Sequence, residues 1–145
     1  MNRGPKQPSG RTAPVEAPMA APVSTQPLPK VRAPVHLQPK GWGHEVWIHN
    51  DERYCGKLLF VKAGKRCSLH FHKKKYETFW VQSGRVLMRL RHPDGHEESF
   101  EMKKGDCLEI PQGTLHQFAG LEDSELFEFS TQHFEDDSHR IEKGD

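Results

Sequence analysis

The 145-residue chain carries 21 Lys and Arg against 20 Asp and Glu, a formal charge of +1, with three cysteines and 34% hydrophobic residues. That length fits one ordinary domain with an appendage and excludes a multidomain machine. With no apolar run near the ~18 residues of a membrane span, no apolar signal core and no clustered basic face, the expected setting is the cytoplasm, without membrane or nucleic acid as a partner.

Residues 1–40 hold nine of the eleven prolines, six basic residues against Glu16 alone, and no aromatic residue. Such a segment cannot build a core and is expected to be a disordered Pro/Ala-rich basic tail. From Gly41 the composition changes, since all three tryptophans and all eight phenylalanines lie beyond it. Residues 41–134 are read as the folded domain and residues 135–145 as a polar C-terminal tail.

Short β-rich runs follow in order at 44–49, 57–62, 68–72, 78–82, 85–91, 99–102, 107–110, 115–118 and 125–130. Between them stand turn residues such as Ala63-Gly64, Ser83-Gly84, Pro93-Asp94-Gly95, Lys104-Gly105-Asp106 and Pro111-Gln112-Gly113, spaced by about ten residues, which is the pattern of an all-β sandwich or barrel. Val86, Met88 and Leu90 fall in one phase of their strand and Leu87, Arg89 and Arg91 in the other. Cys55, Cys67 and Cys107 are odd in number and at no metal-binding spacing, so each is expected to be a small buried apolar residue.

Potential ligands concentrate at Ser68 to Glu77. On a strand, His70 and His72 project from one face, close enough to share an ion, while Leu69 and Phe71 take the other. Glu77, in phase with Phe79 and Val81, and His116, in phase with Thr114 and Phe118, supply a third and a fourth ligand. Three imidazoles and one carboxylate suit one divalent ion among Zn, Mn, Fe, Co and Ni. Lys73, Lys74 and Lys75 read as a solvated turn, which at the mouth of a metal site also suits a substrate phosphate. Trp42, Trp47 and Trp80 read as barrel core or rim, and His133 and His139 as surface groups.

These residues carry a resemblance. Gly64-x5-His70-x-His72-x4-Glu77-x6-Gly84 resembles the first motif of the cupin superfamily at every fixed position. Gly105-x5-Pro111-x-Gly113-x2-His116 resembles the second until its last position, where Gly120 replaces the usual Asn. The resemblance implies a small double-stranded β-helix, or jelly roll, with one metal held by His70, His72, Glu77 and His116, and a homodimer formed through sheet edges.

Within that superfamily the chain is similar to the cupin domain of type II mannose-6-phosphate isomerases, through Lys40-Gly41-Trp42-Gly43 at its start and Glu135-Asp136-Asp137-Ser138-His139-Arg140 near its end. This implies a catalytic role for Arg140 and substrate binding by Lys75, each lying where that family has an arginine. The chain departs from the family at His70, which replaces a Gln, and at Lys73-Lys74-Lys75, which replaces His-His-Arg. The activity implied is aldose–ketose isomerisation of a sugar or sugar phosphate, with Glu109, Glu128 and Tyr76 as possible bases. An Fe(II)-dependent dioxygenase and a non-catalytic metal-containing sugar-binding module are the alternatives.

Overall fold

The computed structural model describes residues 27, 30–33 and 36–145, so most of the expected tail lies outside the described residues. Eleven strands and one 3-10 turn follow in order: β1 (His36–Lys40), β2 (Gly43–Asn50), β3 (Cys55–Val61), β4 (Leu69–Phe71), β5 (Glu77–Ser83), β6 (Arg85–Arg91), β7 (Glu97–Lys103), β8 (Cys107–Ile110), β9 (Leu115–Gly120), β10 (Ser124–Ser130), the turn at Glu135–Asp137, and β11 (His139–Glu142). All pair antiparallel in two sheets, one ordered β1-β2-β3-β10-β5-β8 and the other β11-β4-β9-β6-β7. The fold is the expected all-β jelly roll.

Alternation explains the layering. Leu59, Val61, Phe79, Val81, Ile110 and Leu126 from the first sheet meet Val86, Met88, Met102 and Phe118 from the second in one core, which Trp42 closes edge-on against Phe118. Leu87 and Arg89, in the opposite phase of β6, stay at the surface. The glycines of both motifs make the turns: Gly84, between β5 and β6, has φ 78°, a region costly for any residue with a Cβ. Gly120 is held by close approach, since a Cβ there would meet the Lys62 carbonyl oxygen at 2.5 Å.

Three sequence readings differ from the structure. Strand β1 lies inside the segment read as tail; it sits at a sheet edge, where Pro39 is tolerated because an edge strand pairs on one side only. The polar segment 135–145 contains β11, which pairs with β4; the strand is polar because it is an edge that faces solvent, with Glu142 bonded to Arg89 and Arg91. Cys107 is exposed on the outward phase of edge strand β8, whereas Cys55 and Cys67 are buried.

Candidate metal centre and its cavity

His70 on β4 stands in register opposite His116 on β9. His72 follows the end of β4, and Glu77 opens β5. The pairing therefore brings His70, His72 and His116 together, with one ring nitrogen of each within 4.8 Å of the others. Glu77 points its Oε1 at the same place, 2.8 Å from His116 Nε2 and 3.4 Å from His72 Nε2.

Each imidazole is anchored from behind. Nδ1 of His70 donates to the Ser68 carbonyl at 2.8 Å, Nδ1 of His72 to the Asp137 carbonyl at 2.7 Å, and Nδ1 of His116 to the Thr114 carbonyl at 2.8 Å. A carbonyl only accepts, so Nδ1 carries the proton and the Nε2 lone pair faces the cluster, the tautomer a metal requires. His72 Nε2, His116 Nε2 and Glu77 Oε1 are buried without a hydrogen-bond partner. Leaving three such atoms unsatisfied is costly, and a cation among them would satisfy all three. Burial, with His116 and His72 adding to it against the Ser68 bond, pushes His70 down to about 3 and keeps it neutral. Burial alone would raise the Glu77 carboxyl; the Lys75 ammonium beside it outweighs burial and holds it well below the usual range.

Lys75 is not part of a solvated turn, for it is buried with its ammonium between Glu77 Oε2 at 2.6 Å and Glu128 Oε1 at 2.7 Å. The cause is Asp137, whose carboxylate accepts the backbone N–H groups of Lys73, Lys74 and Lys75 and curls the turn inward. Lys73 and Lys74 do face solvent. Arg140 is exposed on β11, opposite His70 in register, and borders the cavity. Of the possible bases, Glu128 is buried and lines the cavity, whereas Tyr76 and Glu109 bond to each other outside it.

The cavity holds about 450 Å³ and extends from the histidines to a second ion pair, that of buried Lys57 with half-buried Glu45, which the sequence reading missed. Lys57 Nζ lies 3.3 Å from Glu45 Oε2, 3.3 Å from His133 Nδ1 and 4.2 Å from the centre of the Trp47 ring. His133 is a half-buried group lining the cavity and not a surface histidine, and burial, followed by Lys57 and Lys75, lowers it to about 4. The available signal was phase: Lys57 falls in step with Leu59 and Val61 on a strand whose inward side is otherwise apolar.

A profile of the cupin domain matches residues 57–129. The chain is 32% identical to the D-lyxose/D-mannose isomerase of Thermosediminibacter oceani, over 61% of each chain. It is 31% identical to the D-lyxose ketol-isomerase of a Thermofilum species, over 63% of this chain and 64% of that one. It thus spans about three fifths of the length of these curated relatives, and neither is named as a mannose-6-phosphate isomerase. A structure of Bacillus subtilis oxalate decarboxylase, described by its Mn(II) centres, superposes with a TM-score of 0.66 at 18% identity, over 73% of this chain and 30% of that one.

Proposed function

The chain belongs to the cupin family, and from that premise we propose that it is a metal-dependent aldose–ketose isomerase whose substrate is an unphosphorylated sugar. The observation that carries the reading is the buried Lys75–Glu128 pair set directly beside the imidazole cluster and open to the cavity. The sugar isomerases among its relatives support the substrate class.

His70, His72 and His116 through Nε2, and Glu77 through Oε1, would hold the ion. Bound there, a divalent metal supplies Lewis-acid polarisation of a sugar carbonyl and its neighbouring hydroxyl, which acidifies the hydrogen on the carbon between them. Lys75 braces the site by holding Glu77 Oε2. The bonds to Glu128 from Lys75 and Ser130 both fall on Oε1, which leaves Oε2 for substrate. Glu128 takes the proton from C2 of the open-chain aldose and returns it to C1, while the proton on O2 passes to O1. One C–H bond breaks, one forms, and no oxidant is needed.

The lysines inside the cavity argue against a phosphate. Lys75 is matched by Glu77 and Glu128, and Lys57 by Glu45. The Lys75 triad and the Lys57–Glu45 pair leave no surplus positive charge on these lysines and offer donors and acceptors to hydroxyl groups, whereas a phosphate would be opposed by their carboxylates. Arg140, at the mouth, contacts the distal hydroxyls of the sugar.

The test is an assay of protein loaded in turn with Mn²⁺, Zn²⁺, Fe²⁺, Co²⁺ and Ni²⁺, with D-lyxose, D-mannose and phosphorylated sugars as substrates. The expected result is ketose formation, with kcat/KM for the free sugars at least about tenfold higher, a difference of ~1.4 kcal/mol in the barrier. Absence of isomerisation in metal-loaded protein, or substrate-dependent oxygen uptake with Fe²⁺, would overturn it.

A further inference from the structure

One rung of cavity-lining residues crosses the six-stranded sheet: Phe79 on β5, Glu128 on β10, Lys57 on β3 and Trp47 on β2, each opposite the next in register. Glu77, the carboxylate at the histidines, opens β5 two residues before Phe79 and so shares its face. At ~4.8 Å between strands, Lys57 stands one strand beyond Glu128 and roughly 10 Å from the strand that carries Glu77. For a sugar whose C1 and C2 are engaged at the histidines and Glu128, the next side chain along the rung is Lys57.

The two buried lysines of the cavity are held differently. Lys75 has carboxylate oxygens at 2.6 and 2.7 Å, whereas Lys57, 1% exposed, has Glu45 Oε2 and His133 Nδ1 each at 3.3 Å. Fully made hydrogen bonds from an ammonium to a carboxylate close to about 2.7–2.9 Å. A buried ammonium with only long contacts still lacks an acceptor. Its neighbours are tied elsewhere. Trp47 Nε1 donates to Glu45 Oε2 at 2.8 Å, and Lys40 lies 3.6 Å from Oε1. The main chain of His133 is clamped by both ends of the Asn50 amide, at 2.9 and 3.1 Å. An ammonium only donates, so His133 Nδ1 accepts from it and Nε2 carries the proton, with no partner among the described residues.

We propose that Lys57, with Glu45 and His133 beside it, is the specificity-determining group for the far end of the sugar and takes the C6 hydroxyl of a six-carbon substrate. The direction of the sugar rests on the isomerase reading above. A hydroxyl suits this place because it accepts from Lys57 while donating to Glu45, and it adds no charge to the pair. Arg140 is exposed and stands on the other sheet, where water replaces a missing hydroxyl at little cost. Lys57 is desolvated, so a sugar that stops one carbon short leaves its ammonium under-bonded. The cavity therefore prefers D-mannose to D-lyxose, which lacks only that carbon and its hydroxyl.

The test uses the full chain loaded with Mn²⁺ and two polyols that carry no carbonyl: D-mannitol, with six carbons, and D-arabinitol, the reduced form of D-lyxose, with five. Calorimetric titration gives their dissociation constants, and kcat/KM is measured in parallel for D-mannose and D-lyxose. D-mannitol is expected to bind at least about tenfold more tightly, and Lys57→Met to bring that ratio near one. The same substitution should lower the hexose-to-pentose ratio of kcat/KM, with the change in KM exceeding that in kcat. His133→Phe, which keeps a ring and removes both nitrogens, should lower the binding ratio at least about threefold, as loss of one hydrogen bond does, and it decides the matter if Lys57→Met does not fold. No binding of either polyol, a ratio near one in the parent protein, or a ratio unchanged in the folded variants overturns the assignment. Selectivity that the variants abolish, in a protein that turns over neither sugar, upholds the assignment and removes the isomerase reading instead.

Discussion

Asp137 serves His72 with its main chain and the turn after His72 with its side chain. Its carbonyl oxygen fixes the Nδ1 proton at 2.7 Å, and its carboxylate gathers the N–H groups of Lys73, Lys74 and Lys75 at 2.9 to 3.2 Å. One residue of the C-terminal segment thereby orients an imidazole and forces the Lys75 side chain inward. Those three hydrogen bonds draw its carboxyl below the usual range against the opposing effect of burial.

Asp137→Ala removes the acceptor for three N–H groups while keeping the carbonyl. Hydrogen bonds to a charged group are worth ~1.5–3 kcal/mol each, but the freed N–H groups of the exposed Lys73 and Lys74 can turn to water, so a loss of about 2–4 kcal/mol of stability is expected from thermal unfolding. Metal affinity, read by competition with a chelator, should fall about 10- to 100-fold as the loosened turn shifts His72 relative to the main-chain carbonyl that orients it. Asp137→Asn, which keeps one oxygen acceptor, should lie between the two proteins.

Elemental analysis should find one divalent ion per chain. Its removal by chelation should lower the melting temperature, since an ion at a hundred times its Kd contributes about 2.7 kcal/mol. His116→Ala and His72→Ala should abolish stoichiometric loading; metal content equal to that of the parent protein in either variant would refute the site.

Lys75→Met leaves Glu77 and Glu128 buried without their shared cation. Breaking a buried pair in this way costs ~3–5 kcal/mol. The variant should therefore unfold at a lower temperature than Glu128→Gln, which deletes one charge but keeps the shape. If Lys75 instead gripped a substrate phosphate, its replacement would raise KM for phosphorylated sugars and leave stability nearly unchanged.

Glu128→Gln should lower kcat by about 10²- to 10⁴-fold with a small change in KM, the signature of a lost proton carrier. Glu109→Gln, outside the cavity, should leave both constants within about twofold, the range of an ordinary surface change. Steady-state kinetics on D-lyxose separates the two outcomes.

The outer network at β11 predicts a pH response. Hydrogen bonds from Arg89 and Arg91 hold the Glu97 carboxyl down at about 2, against 4.5 for the free group, and hold Glu142 below its usual range too. A depressed folded value means the stabilisation is complete above pH 4.5 and is lost as pH falls toward 2. Glu97→Gln should flatten the melting temperature over that window, measured at low ionic strength because these pairs are exposed.

The two-residue period made much of the site legible: His70, Glu77 and His116 stand at positions whose phase pointed inward, and His70 and His116 meet in register. Burial of Lys75 was not legible, because its cause lies 62 residues away in Asp137, and three successive lysines look alike until one is captured. Lys57 was visible as a charge in an apolar phase, but its partners Glu45 and His133 come from other parts of the chain. Strand β11 carries no apolar alternation because its pairing to β4 and its arginine contacts, not a buried face, fix it.

The side-by-side rows of β3 and β10 also constrain how the gene can change. Lys57 and Glu128 line the cavity, while Leu58 and Phe127, one codon away, belong to the outer surface. Point substitutions can explore either set without disturbing the other, so the cavity lining and the outer surface are free to drift independently. Gaining or losing a single codon within β10 is different. It would turn the aromatic ring into the cavity and the carboxylate outward in one event, so these strands should accept replacements readily and length changes hardly at all.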